Sequence, residues 1–435
     1  MPRPNILIVL TDQQQGAMLG CAGAAGLHTP AMDRLATTGT RFDRAFCTTP
    51  QCSASRASLM TGLYPHRHGV LSNIPDTTFG PRQLPQYLPS VGQILHDASY
   101  HTAYFGKWHL GAAGEATSNP LAYGFDHFVP PPGHAEQEGE GDLAMEAASY
   151  LAEYTGAQPL LLLASFNDPH GVYALRRVTR PLETEGITLP ASFDDDLATK
   201  PAAQRTYRDE DQPAALPLDE ATARRYLAWY ACMVERADGY LARLLTALDS
   251  RPALAANTVV VFASDHGDLA CAHRLPFKGP CMYEELVRVP LLVQGPGITQ
   301  GAVRSELVTL ADLLPTLCDL AQATTPAGLD GQSLLPLLHG ATPPWRDAVI
   351  GQYHGKQRWF CPIRMVRTAT QKFTLYTTGE RELYDLEADP AERHNRAGDP
   401  GYAAIERDLA GRLATWMETE GDPFPHVRAT DREGR

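Results

Sequence analysis

The chain has 435 residues, 43% of them hydrophobic and 20% charged, with a formal net charge of −13. That length and composition describe a globular protein with one large core and room for a smaller appendage, and they exclude a fibrous or low-complexity chain. The acidic balance argues against nucleic acid or an anionic membrane surface as partner, so an anionic ligand must be drawn in by a local basic pocket.

Asn5 to Thr11 reads as a fully buried parallel strand, a continuous branched apolar run closed by polar residues. Residues 52–61 predict a short helix, with Ser53 and Ser55 as candidate caps, Leu59 and Met60 as apolar anchors and Gly62 as terminator. Val91 to Tyr100 predicts a helix leading into the strand Thr102 to Phe105, and residues 143–155 a helix leading into the strand Leu160 to Phe166. Residues 171–220 are rich in proline, aspartate and threonine with weak periodicity, as in an excursion that shapes a pocket rim. Glu220 to Leu248 has sustained helical periodicity, Thr258 to Ser264 and Val289 to Val293 are strands, and Leu307 to Leu320 is helical.

After about residue 340 the character changes. Ala348 to Ile350, Arg364 to Thr368, Lys372 to Tyr376 and Glu382 to Tyr384 are short strands, and a helix near Ala403 to Glu418 follows. The expected fold is α/β: a large, mostly parallel mixed sheet sandwiched by helices over residues 1–340, then a small C-terminal antiparallel sheet plus helix over 341–435. Eight cysteines, at 21, 47, 52, 232, 271, 281, 318 and 361, include no Cys-x-x-Cys pair, so neither a zinc knuckle nor a dense disulfide framework is expected. The run Ile6 to Leu10 is too short for a secretory or membrane-spanning segment, and a cytoplasmic protein without a membrane span is the expectation.

In open parallel sheets, ligands meet the carboxyl ends of strands. Three predicted strands end in Thr11-Asp12-Gln13, Asn167-Asp168-Pro169-His170 and Ser264-Asp265-His266-Gly267-Asp268. Each alone fits a turn or capping aspartate, but together they converge on one sheet edge. Asp12 and Asp265 are hard oxygen donors suited to calcium or magnesium. Cys52 opens a helix, where free N–H groups and the dipole favour an anion, and Arg56 one turn on can fork onto a substrate oxygen or the nucleophile. Gly106-Lys107-Trp108-His109 follows its strand at once; taken alone, Lys107 is a surface lysine beside a packed tryptophan.

The stretch Cys52-Ser53-Ala54-Ser55-Arg56-Ala57-Ser58-Leu59-Met60-Thr61-Gly62, continued through Gly69, resembles the signature of the type I, formylglycine-dependent sulfatases of the alkaline phosphatase superfamily. That signature reads Cys-x-Pro-x-Arg followed by Ser-x-Leu-Thr-Gly. In the family the cysteine is oxidised to formylglycine, whose hydrated aldehyde is the nucleophile, so the resemblance implies a formylglycine-generating enzyme as partner. Ala54 stands where proline is usual; the oxygen-dependent converting enzyme recognises that proline, whereas radical-type anaerobic enzymes accept alanine. The resemblance also implies one divalent metal held by Asp12, Gln13, residue 52, Asp265 and His266. Calcium is the family's metal, with manganese or magnesium as the other options. Gln13 replaces the second aspartate of many members, a pairing shared with choline sulfatases and phosphonate monoester hydrolases.

Gly106 to His109 is similar to the family's Gly-Lys-Trp-His motif, which puts Lys107 on a sulfate oxygen and lets His109 take a proton from the nucleophile's second hydroxyl. Lys278, in Phe277-Lys278-Gly279-Pro280, matches another sulfate-binding lysine. His170 matches the histidine beside the bridging oxygen and, with Lys278, protonates the leaving alcohol. Asn73 is a further candidate for substrate contact, while His66 and His68 are read as structural. Cys281 to Leu291 and Glu382 to Glu392 also follow the family, which leaves 171–220 the least covered part.

The resemblance implies a sulfuric ester hydrolase acting on a small-molecule or saccharide sulfate, whether sugar, aryl or alkyl. Two other readings stand beside it: a phosphonate monoester or phosphodiester hydrolase, and a non-catalytic binder of sulfated glycans should Cys52 stay unmodified. Specificity is expected to reside in residues 112–142 and 171–220.

Overall fold

The computed structural model describes residues 3–74, 80–111, 119–132, 139–179, 181–211, 218–356 and 359–424. Parts of the two expected specificity stretches, 112–118, 133–138, 180 and 212–217, lie outside the described residues.

The strands of the N-terminal part are β1 (Asn5–Asp12), β2 (Thr40–Phe42), β3 (Ala45–Phe46), β4 (His101–Gly106), β5 (His127–Val129), β6 (Leu160–Pro169), β7 (Thr258–Ser264), β8 (Leu291–Gln294), β9 (Ala302–Arg304) and β10 (Val308–Thr309). Eight of them form one sheet in the order β5-β4-β6-β1-β7-β8-β2-β9, and β3 pairs with β10 apart from it. The core strands are parallel, as their unbroken apolar runs imply, but β8 runs antiparallel to both β7 and β2. An apolar run reveals burial, not direction, so this reversal is absent from the residue pattern.

Alternation along the strands splits the core in two. Ile6, Ile8, Leu10, Leu161, Leu163 and Val261 face one side, packing on the helix Cys52–Thr61 and the helix Leu313–Ala321. Leu7, Val9, Leu162, Val260 and Phe262 face the other, against the helices Glu140–Glu153 and Glu220–Asp249. Both faces of the sheet are thus covered, which is the condition for a parallel sheet to exist in water.

The stretch expected to be one helix from Leu307 to Leu320 divides. Val308 and Thr309 join β3, and the helix starts only at Leu313, after Asp312 accepts from the Thr309 amide at 2.7 Å. The helix Pro30–Thr38 and the three-residue strands β2, β5 and β9 carry too little periodicity to be foreseen.

The C-terminal sheet is a four-stranded antiparallel meander of β11 (Ala348–Lys356), β12 (Trp359–Thr368), β13 (Gln371–Tyr376) and β14 (Arg381–Asp385). Val366, Phe373 and Leu383 pack against Leu409 and Leu413 of the helix Ala403–Glu420. The excursion after β6 is tied to this sheet. Lys200 Nζ donates to the Glu392 carbonyl at 2.6 Å and Tyr384 Oη at 2.8 Å, and Gln204 Nε2 to Tyr376 Oη at 3.0 Å. All eight cysteines are unpaired, and no helix among the described residues is long and apolar enough to cross a membrane.

Candidate active site

Strand register brings the site together. Leu10 pairs with Ser165, Thr11 with Ser264, and Gly106 with Ser165, so β1, β4, β6 and β7 finish level with one another. Asp12, Lys107, His170 and Asp265 therefore leave the sheet at one edge. Gly106 is needed for this close approach: its φ is +91°, and a Cβ there would lie 2.1 Å from the Ser165 carbonyl oxygen. Without that Cβ, the Lys107 amide reaches the same carbonyl at 2.9 Å. Gln13 (φ 73°) and His109 (φ 56°) also adopt left-handed backbone, uncommon for side-chain-bearing residues and concentrated at functional sites.

The helix bearing Cys52 begins at that residue, after Gln51, and ends where Gly62 turns left-handed at φ 68°. Ser53 and Ser55 do not cap it, contrary to expectation. Ser53 Oγ donates to the His109 carbonyl at 2.6 Å and Ser55 Oγ to the Asp265 carbonyl at 2.5 Å, which ties the helix start to two strand-end loops. Asn73 Oδ1 accepts from the Ser53 amide at 3.2 Å and so sits against the same helix start.

Around the Cys52 sulfur stand Lys278 Nζ at 2.7 Å, His266 Nε2 at 3.1 Å and Asp12 Oδ1 at 3.7 Å, while the His109 ring hydrogen-bonds it. Asp12 Oδ2 takes the Lys107 ammonium at 2.6 Å. Arg56, 2% exposed, directs Nε to Asp265 at 2.8 Å, Nη2 to Asp12 at 3.1 Å, and Nη1 to Ser165 Oγ at 2.7 Å and the Lys107 carbonyl at 2.9 Å. Its fork holds the two carboxylates instead of reaching for a substrate oxygen. His170 belongs to the same electrostatic unit, in which burial, Lys107 and Lys278 hold its imidazole well below the ordinary range against the pull of Asp12. Burial also lowers His109, so both rings rest neutral in the cluster around Cys52.

Asp12, Cys52, Asp265 and His266 each offer a ligand atom, all within 4.8 Å of one another and all buried. Burial and the neighbouring Asp12 push the Asp265 carboxyl up to about 6. Asp12 is instead held well below the usual carboxylate range: Lys107, Arg56 and Lys278 outweigh its burial. Gln13 supplies the telling detail. Its Nε2 donates to Asp268 at 2.5 Å, which fixes the amide orientation, and its buried Oε1 has no hydrogen-bond partner among the described residues. An orphaned amide oxygen beside two converging carboxylates and an imidazole fits a divalent cation preferring oxygen donors. His266 Nδ1 donates to the Gly267 carbonyl at 2.8 Å, which leaves Nε2 as the ligating nitrogen. Asp268 and Ser165, which hold Gln13 and Arg56, had no place in the expected site. Their partners lie 255 and 109 residues away, so no local spacing signals them.

Two lysines, two carboxylates and a histidine gathered around Cys52 at a helix start, at the edge of a covered mixed sheet, fit a hydrolase of tetrahedral oxyanion esters. Residues 4–323 match the family described as Sulfatase, and residues 273–419 match the C-terminal part of N-sulphoglucosamine sulphohydrolase. The chain belongs to the sulfatase family and is a sulfatase. It is similar to the delta 4,5-hexuronate-2-O-sulfatase of Bacteroides thetaiotaomicron, 32% identical over 98% of this chain and 91% of that one. The structure of a 2-O GAG sulfatase superposes with TM-score 0.88 at 29% identity, covering 98% of this chain and 94% of the other. The phosphonate monoester hydrolase of Agrobacterium radiobacter shares the fold, with TM-score 0.78 at 24% identity over 96% of each chain.

Proposed function

We propose that the chain hydrolyses a sulfate monoester of a saccharide, using formylglycine made from Cys52 and one divalent cation. The observation that carries this reading is the convergence on Cys52 Sγ of Lys278 at 2.7 Å, His266 at 3.1 Å and Asp12 at 3.7 Å. Asp12, Gln13, residue 52, Asp265 and His266 would hold the cation, calcium by family resemblance, with manganese or magnesium as alternatives. When present, the cation screens charge on the sulfonyl oxygens, and the formylglycine hydrate offers one hydroxyl for attack and a second for sulfate release.

The chain's own residues do the rest. Lys107 and Lys278 place positive charge on the non-bridging oxygens, where charge develops in the transition state. Arg56 keeps Asp12 and Asp265 ionised and aligned. His109, neutral and bonded to the residue-52 side chain, is poised to take a proton from it. Lys278, as the ammonium, carries the proton for the departing alcohol oxygen, which otherwise leaves as a poor alkoxide, and the neutral His170 beside it steadies that oxygen with a ring N–H. Asn73 braces the helix start at the rim and is a candidate for substrate contact. The 32% identical hexuronate sulfatase supports a saccharide as the alcohol. Ala54 supports conversion by an anaerobic-type formylglycine-generating enzyme.

Mass analysis of the peptide containing residue 52, from a host with such an enzyme, should show loss of the thiol in favour of the aldehyde. Cys52→Ala should abolish turnover of an aryl sulfate while the far-UV spectrum is kept. Undiminished turnover overturns the assignment; a persistent thiol in a host that matures other sulfatases favours a sulfated-glycan binder. A higher kcat/KM on an aryl phosphonate ester than on the matching sulfate favours the phosphonate hydrolase reading.

A further inference from the structure

The geometry points to a second anion site, separate from the one at Cys52. Arg41, Arg44, Arg288 and Arg367 line a cavity of about 370 Å³ together with Asp43. Its place follows from the topology. β8 is antiparallel to β7 and β2 is antiparallel to β8, so Arg288 and the segment after Phe42 emerge at the same sheet edge as Asp265. β2 lies two strands from β7, a lateral offset of roughly 10 Å at about 4.8 Å per strand. The cavity shares no lining residue with the cluster around Cys52.

Charge is unbalanced there. Asp43 pairs with Arg41. Glu284 pairs with Arg367 at 3.2 Å and reaches Arg288 only at 4.0 Å, but it is also held by Lys372 at 3.0 Å. Two carboxylates thus face four guanidinium groups in a chain whose overall charge is −13. Arg44 makes no side-chain ion pair or hydrogen bond among the described residues. Arg367 is 7% exposed and is fixed by the Thr368 carbonyl at 2.6 Å and by stacking on Phe46 at 5.0 Å.

Like charges held this close raise one another's energy unless a counter-anion enters. Guanidinium is the side chain best matched to a tetrahedral oxyanion, because its planar fork donates two parallel hydrogen bonds. Much of the ordering cost is already met, since Arg41, Arg288 and Arg367 are held by the protein. The ligand is a dianionic tetrahedral oxyanion, sulfate or phosphate, either free or as the substituent of a saccharide.

Inorganic sulfate is the probe. Calorimetric titration of the matured, full-length protein at low ionic strength should resolve two sites, only one of which is displaced by an aryl sulfate substrate. Arg44→Glu, and independently Arg44→Gln, should weaken the non-displaced site by about tenfold or more. Both variants should leave kcat/KM on the aryl sulfate and inhibition by sulfate unchanged. Inorganic phosphate bound as well as sulfate identifies a general oxyanion site. A multiply sulfated oligosaccharide that fills the Arg44-dependent site and the active site together identifies a subsite for the substrate's second sulfate. Wild-type protein that binds one sulfate only, or Arg44 variants with both sites intact, overturns the proposal. Because hydrolysis is read separately, that failure is distinguishable from failure of the sulfatase mechanism.

Discussion

The Lys278 ammonium stands 2.7 Å from the Cys52 sulfur, and both side chains are shut off from solvent. Burial and Asp12 push the Cys52 thiol up, but Lys278, His266 and Lys107 outweigh them and hold it well below its usual range. A buried ammonium that favours negative charge at residue 52 also favours the charge that gathers on a sulfuryl group bound there. Lys278→Met should therefore cut kcat/KM on an aryl sulfate by about 100- to 1,000-fold while the protein stays folded. A loss below about tenfold would leave Lys278 as a packing residue.

The cation position makes a second demand. Asp268 fixes Gln13 at 2.5 Å and is itself held by Tyr226 Oη at 2.8 Å. Asp268→Asn leaves every proposed ligand in the chain but loosens the amide that offers Oε1. The cation concentration giving half-maximal activity should rise by about 10- to 100-fold, with kcat at saturating cation little changed. Chelation of the wild type should abolish turnover, and calcium should restore it. Wild-type activity that survives exhaustive chelation removes the cation from the mechanism.

How much of this could be read along the chain depends on where each partner sits. Asp12, His170 and Asp265 were legible as a group because each ends or directly follows a strand whose apolar run places it in a parallel sheet, whereas Lys107 stood out only through its resemblance to the family's Gly-Lys-Trp-His motif. The direction of β8 was not, since Leu291 to Val293 would look the same either way. The role of Arg56 needed coordinates too. Its four contacts reach residues 44, 51, 109 and 209 positions away, and only geometry shows that each nitrogen of the fork is engaged within the protein. The arginine cavity is invisible for the same reason: its cations come from positions 41, 44, 288 and 367. Short elements were the other loss, because the three residues of β2 hold barely more than one cycle of the two-residue alternation.

His68 gives stability a pH dependence of known sign. Its Nδ1 accepts from the Val70 amide at 3.1 Å, so the ring proton is on Nε2, which faces Ser58 Oγ at 3.0 Å. Burial, then His66, lowers the His68 imidazole to about 3. The unfolded chain, with an ordinary imidazole, binds a proton that the folded one refuses. The contribution is thus complete above about pH 6.5 and is lost as pH falls toward 3. Between pH 7 and 4.5 the wild type should lose about 2–3 kcal/mol more unfolding free energy than His68→Gln. Parallel slopes for the two proteins in denaturant titrations would remove His68 from the acid sensitivity.

Lys372 tests the join between the C-terminal sheet and the rest. From β13 it reaches Glu392 at 2.7 Å, Glu284 at 3.0 Å and the Met282 carbonyl at 2.9 Å, all in a buried setting. Burial, with Glu284 and Glu285 close by, pushes Glu392 up to about 7 even against the pull of the Lys372 ammonium, so without that ammonium the carboxyls share this space at a higher cost. Lys372→Met keeps the stem's packing but strands Glu392 and leaves Glu284 to Arg367 at 3.2 Å, at a cost of about 3–5 kcal/mol. Adding Glu392→Gln removes one stranded charge, and the double variant should recover part of that loss. Equal stability of the single and double variants would mean that Glu392 already sits protonated beside Lys372, and that Glu284 alone carries the ion pair.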